Sequence, residues 1–161
     1  MRAFVLIVLL GAVCPAPAAG QTSTATLNAA FTGLARVSFS GASLSFPDAD
    51  PDTIPQIPST PATIVITAKA RATAGGTVTL TVRASNDLRS GITTIPASNI
   101  TWTATGSGFV AGILSAATPQ TVATWTGSGV RSGTQSFLFR NLWTHPTGIY
   151  TLTLIYTLSA A

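Results

Sequence analysis

From Thr63 to Arg71 the chain alternates, with Ile64, Ile66, Ala68 and Ala70 on one set of positions and Thr63, Val65, Thr67, Lys69 and Arg71 on the other. After Ala74-Gly75-Gly76 the pattern resumes, Val78, Leu80, Val82 and Ala84 alternating with Thr77, Thr79, Thr81 and Arg83. Successive strand side chains point to opposite faces, so this period of two predicts a hairpin with one dry and one wet face, turning at the glycines. Further runs that read as strands are Ala25–Phe31, Ala35–Phe39, Asn99–Thr105, Thr121–Thr126, Thr134–Arg140 and Gly148–Ser159. Turn-forming clusters separate them: Ser85-Asn86-Asp87, Gly106-Ser107-Gly108, Gly127-Ser128-Gly129 and His145-Pro146-Thr147-Gly148. No stretch carries the period of an amphipathic helix. About seven to nine short strands at this spacing predict an all-β protein, a single Ig-like antiparallel β-sandwich, with a closed barrel as the alternative.

Two segments break the alternation. Residues 47–61 (PDADPDTIPQIPSTP) hold five prolines, which cannot donate to a sheet ladder, so they predict a long surface loop or edge crossing within the domain. At the start, Arg2 precedes an apolar run, Ala3 to Val13, and the small-residue stretch Cys14-Pro15-Ala16-Pro17-Ala18-Ala19-Gly20. An h-region of about ten residues with small residues beyond it reads as a secretory signal peptide over 1–20, leaving 21–161 as the sandwich domain. A membrane span needs roughly 20 apolar residues, so no stable span is expected after cleavage. The expected location is secreted: extracellular, cell-surface or periplasmic in a bacterium.

Composition narrows the chemistry. Cys14 is the sole cysteine and leaves with the signal, so stability has to come from apolar burial without a disulfide. Thr occurs 27 times and Glu not at all, a composition suited to strands and turns. Eight Lys and Arg against four Asp give a formal charge of +4. The bases are scattered singly, whereas phosphate-backbone binding needs them clustered, so no nucleic-acid partner is expected.

Candidate reactive groups are few. Asp48, Asp50 and Asp52 alternate on the Pro-rich loop and are the only metal candidates, but the residues expected of a Ca²⁺ loop at the following positions are missing, so no metal or other cofactor is expected. His145 has no G-x-S-x-G elbow to serve, and a triad with Asp87 and a serine would have to be assembled in space. An enzyme is therefore not expected. Trp102, Trp125 and Trp143 are candidates for a sugar-stacking platform, although Trp102 shares a face with Ile100 and Ala104 and reads as core.

The final strand bears most directly on function. Tyr150, Leu152, Leu154, Tyr156 and Leu158 share one face, with Ile149 and Ile155 on the other, so partial cover is expected on both sides. Residues 149–158 carry no charge, Pro or Gly, which makes an open edge there hazardous. Pairing on both edges is therefore expected, either within the fold or by a strand from another copy. For the second case the candidate is the uncharged Gln21–Phe31, with Ala25, Leu27, Ala29 and Phe31 alternating. The candidate assembly residues are thus Gln21, Leu27, Phe31, Tyr150, Leu152, Leu154, Tyr156 and Leu158.

Leu44-Ser45-Phe46 with Asp50-Pro51 and the Thr- and Val-rich runs beyond resembles the opening of spore-coat-protein-U-like domains and archaic chaperone–usher pilins. Residues 146–154 (PTGIYTLTL) resemble their final strand. The resemblance implies a secreted Ig-like sandwich and, from the pilins, polymerisation by donor-strand exchange. The chain departs from these families in lacking their cysteines and in closing on Leu158-Ser159-Ala160-Ala161. Gly148 and Tyr150 also suit the tyrosine corner of Greek-key sandwiches. The functional expectation is an exported, non-enzymatic structural or surface subunit, fimbrial-like or matrix, whose partners are copies of itself or other envelope subunits joined by β-strand addition. The alternative is a secreted carbohydrate- or ligand-binding module.

Overall fold

The alternating runs form strands, and their apolar rows face one another across a sandwich. The computed structural model describes Thr26, residues 28–41 and residues 43–161. The chain divides into two units, Met1–Ala30 and Phe31–Ala161. In the first, Thr26 and residues 28–30 carry no regular secondary structure, and the expected signal peptide lies outside the described residues.

The second unit holds β1 (Leu34–Phe39), β2 (Gln56–Pro58), β3 (Ile64–Arg71), β4 (Thr77–Ala84), β5 (Leu88–Ser90) and β6 (Thr93–Ile95). A 3₁₀ turn, Ala97–Asn99, leads into β7 (Ile100–Thr105), β8 (Gly112–Ile113), β9 (Gln120–Thr126), β10 (Gly129–Arg140) and β11 (Leu154–Ala160). One sheet has the order β1-β3-β10-β7-β8, with β2 also pairing β10; the other is β11-β4-β9; β5 and β6 form a separate ribbon. Every strand pairing is antiparallel. The fold is all-β, an antiparallel sandwich.

The core follows the predicted parity. Ile64, Ile66, Ala68 and Ala70 of β3 and Val78, Leu80, Val82 and Ala84 of β4 are buried in one cluster with Trp102, Leu114, Val122 and Phe137. Thr77 is exposed, but Thr79 and Thr81 are half-buried, because β4 is flanked on both sides by β11 and β9.

The expected hairpin is corrected. β3 and β4 do not pair; the turn between them carries the chain from one sheet to the other. Alternation reports only that each strand has one dry face, and two dry faces can share a sheet or oppose each other across the core. Gly75 makes the crossing at φ 77°, and Gly127, at the equivalent crossing from β9 to β10, adopts the same φ. The two crossings are tied together: Gly127 N–H donates to Gly76 O at 2.7 Å, and Ser128 Oγ accepts from Ala72 N and donates to Ala72 O.

Three more expectations change. Of the predicted Ala25–Phe31 strand, the described residues carry no strand. The Pro-rich stretch is not all loop: Gln56–Pro58 pairs with Leu138–Arg140, and Ile57 and Ser59 are buried. The last strand begins at Leu154 rather than Gly148, because residues 148–153 arch over β5 through a single bridge, Arg89 to Thr151. Ile149 is 87% exposed and Ile155 is also exposed, so that side of the segment is uncovered.

Leu80→Ala is expected to cost about 2–5 kcal/mol in urea unfolding, as for a fully buried leucine, while Thr79→Ala stays within about 1 kcal/mol. Equal losses at the two positions would show that the parity of β4 is wrong.

Candidate functional site

An edge strand presents unpaired N–H and C=O groups, and proteins normally cover such edges. The three-stranded sheet covers one of its two. Along β9, Val110 N–H donates to Val122 O at 2.9 Å and Thr124 N–H donates to Gly108 O at 3.0 Å, so residues 108–110 act as a short extra strand. Along β11 the strand pairs with β4 from Leu154↔Ala84 to Ala160↔Val78, and among the described residues its other edge has no strand partner. The expectation of pairing on both sides is therefore not met within residues 31–161.

The row beneath that edge is only partly buried. Tyr150, Leu152, Leu154, Tyr156 and Leu158 all pack against the core, each only partly buried. Across from them lies β1, the outer strand of the larger sheet, where Phe39 meets Tyr156 with ring centroids 4.7 Å apart and Val37 is half-buried. Tyr150 fixes the approach to β11: its hydroxyl donates to Pro146 O at 2.9 Å, the bond expected of a tyrosine corner at the entry to a sandwich strand. Phe31 is 77% exposed, with the Arg71 guanidinium 5.3 Å from its ring centroid. Gln21 and Leu27 lie outside the described residues.

Sequence reasoning missed two members of this region. Gln135 is fully buried on β10; the Tyr156 hydroxyl donates to its Oε1 at 2.6 Å, linking the two sheets, while its Nε2 has no hydrogen-bond partner. The signal was available, since Gln135 occupies the inward parity of Phe137 and Phe139. Phe39 could likewise have been found by extending the Ala35–Val37 row. Burial pushes the Tyr156 phenol well above its ordinary value.

The remaining candidates are dispersed. Asp48 accepts from Ala49 N, Asp50 from Asp52 N and Asp52 from the Trp143 indole. Among the described residues no three His, Cys, Asp or Glu side chains form a metal-ligating group. His145 Nε2 lies 3.0 Å from Arg140 O and its ring packs against Phe139, whereas Asp87 accepts from Ala97 N. Trp102 and Trp125 are buried, so neither can serve as a stacking platform. Trp102 donates its indole N–H to Val110 O at 2.9 Å, and a Cβ at Gly112 would collide with its ring. Trp143 alone of the three is exposed. No helix among the described residues is long and apolar enough to cross a membrane.

Comparison with protein-family models and with curated proteins returns no match.

Two outcomes follow from this geometry. Because burial raises the folded-state pKa of Tyr156, the folded chain holds the phenolic proton more tightly than the unfolded chain does. That contribution is intact below the unfolded phenol value of about 10 and is lost as pH rises through the folded value. The urea midpoint of the wild type is expected to fall more steeply above about pH 10 than that of Tyr156→Phe; parallel declines would show that Tyr156 ionises freely. Chelator or millimolar Ca²⁺ should move the melting temperature by less than about 1 °C, since stabilisation by a metal requires a site that binds it. A larger Ca²⁺-dependent rise, abolished by replacing Asp48, Asp50 and Asp52, would contradict this.

Proposed function

We propose that this chain is an exported, non-enzymatic structural or surface subunit, fimbrial-like or matrix, completed by a β-strand from another copy. The observation that carries the reading is the β11 edge: Leu154–Ala160 contains no charged residue and no Pro, pairs on one side only among the described residues, and sits over the partly buried row Leu154, Tyr156 and Leu158. Strand addition suits such an edge, because backbone hydrogen bonds supply affinity and alternate side chains fill the row beneath. The segment Gln21–Phe31 supports the reading as donor, being uncharged and alternating at Ala25, Leu27, Ala29 and Phe31. The basic and apolar start through Gly20 supports export to the periplasm or cell surface.

The test uses the chain from Gln21 onward and a version lacking Gln21–Phe31. The longer chain should form concentration-dependent oligomers in light scattering, and the shorter one should be monomeric with a lower melting temperature. A synthetic Gln21–Phe31 peptide added to the shorter chain at 100 times its dissociation constant should restore about 2.7 kcal/mol of stability. The same peptide with Leu27 and Phe31 changed to Asp should restore none. A longer chain that stays monomeric at every concentration would overturn the proposal, and a shorter chain that still responds to the peptide would then show that Gln21–Phe31 pairs within its own chain.

A further inference from the structure

The Pro-rich stretch is fastened to the end of β10. Asn141 donates from its backbone N to Pro55 O at 2.9 Å and from Nδ2 to Ala49 O at 2.9 Å and Ile54 O at 3.1 Å. Within the stretch, Asp50 O accepts from Thr53 N and Ile54 N. Two residues beyond Asn141, the Trp143 indole N–H donates to Asp52 Oδ1 at 3.1 Å. That bond satisfies the single polar group of the indole and anchors the ring by one edge, while the side chain as a whole stays 71% exposed. The exposure therefore belongs to a ring held in place.

The fastening also shapes a shallow, open cleft of about 540 Å³. Trp143 is not one of its lining residues but borders it through Leu142, which precedes it in the chain, and through its bond to Asp52, the neighbour of Thr53. Ile54, Pro55 and Leu142 supply its apolar lining, and Gln56 and Arg140 its hydrogen-bonding groups. Both polar side chains are exposed. They differ in what they offer: Gln56 presents a donor and an acceptor on one planar amide, and Arg140 a fork of donors only. A saccharide matches this set. The axial C–H groups of a pyranose carry partial positive charge and favour the negative face of an indole ring, and its ring hydroxyls need donors and acceptors in pairs at the rim. A purely apolar ligand would leave Gln56 and Arg140 unused, and a simple anion would not use the indole face.

We infer that Trp143, together with the cleft between residues 53–56 and 140–142, is a saccharide-binding site, with the indole as stacking face and Gln56 and Arg140 as the hydroxyl- and carboxylate-reading groups. The inference does not rest on strand addition, since the cleft shares no lining residue with β11. Arg140 is the one charged residue in the lining, so a uronate-containing saccharide binds more tightly than a neutral one of equal length.

The burial of Trp102 and Trp125 makes tryptophan emission a direct reporter, because Trp143 is the exposed fluorophore. The probes are chitohexaose, cellohexaose and a hexameric oligogalacturonate, titrated into the chain from Gln21 onward. At least one should produce a saturable shift in emission. Affinity by calorimetry should fall roughly ten-fold or more in Trp143→Ala and be largely retained in Trp143→Phe, which keeps an aromatic face. Arg140→Ala should weaken the oligogalacturonate selectively. An unchanged melting temperature in Trp143→Ala separates loss of the stacking face from loss of the fold, and Gln56→Ala gives a second reading from the strand that pairs with Arg140. Absence of a saturable response to all three saccharides would overturn the inference, as would a response undiminished by Trp143→Ala. A Trp143→Ala variant whose sole change is its oligomeric size would mark the ring as a contact between subunits and overturn it equally.

Discussion

Everything in this fold depends on two apolar rows meeting across the gap between the sheets: Ile64, Ile66, Ala68 and Ala70 of β3 and Val78, Leu80, Val82 and Ala84 of β4. No cysteine follows Cys14, so no disulfide staples one layer to the other. Burial of this kind is non-directional and scales with the area removed from water, so the strands that complete the rows are held as firmly as the area they cover. β3 and β4 lie inside their sheets and are paired on both sides. β1 and β11 lie at the borders, and their inner side chains are correspondingly less covered: on β11 they are partly buried, and on β1 Val37 is partly buried while Phe39 is exposed. Two directional contacts supplement the apolar one there, the Phe39–Tyr156 ring contact and the Tyr156–Gln135 hydrogen bond.

The parity of the long strands was legible from the sequence because a period of two is a local property. Which strands pair is not local, and the β3–β4 turn illustrates the difference. Ala74-Gly75-Gly76 signals a reversal whether the chain returns beside β3 or crosses to face it, and both outcomes bury the same residues. The residues 148–153 illustrate another limit. Their alternation continues unbroken into β11, yet they are held to β5 by one bridge, because the Tyr150 hydroxyl pins them to Pro146 O. The proline-rich stretch hid β2 for a related reason: the prolines discourage a ladder, but Ile57 between them is buried and can still take a place beside Phe139.

The candidate site was legible in its composition and illegible in its context. An uncharged run from Ile149 to Leu158 announces itself, and the need to cover a strand edge there follows from general rules. The sequence could not reveal that β9, the other border of the same sheet, is covered by residues 108–110 while no described residue covers β11, since that depends on how the β7–β9 connection folds back. The tryptophans show the same division. Trp102 sits on the Ile100 parity and is core, as that parity implies. Trp143 lies outside any alternating run, and its indole N–H bonds Asp52, 91 residues away in the chain.

The contrast between the two borders constrains any account of this protein. Residues 108–110 cover β9 with two backbone bonds on a connection that stays within one chain, so little entropy is lost beyond folding itself. Covering β11 over Leu154–Ala160 requires a longer segment, and a segment from a second molecule must also overcome the loss of translational and rotational freedom. The partly buried Leu154, Tyr156 and Leu158 provide the compensating term, because an added strand would bury apolar area that the described fold leaves wet. An edge that was merely unpaired, over a polar row, would offer backbone bonds that water can nearly match. An edge that is unpaired above an unfinished apolar layer offers both terms along the same seven residues, and it is this coincidence, more than the absence of charge, that makes β11 the place where a second chain has most to gain.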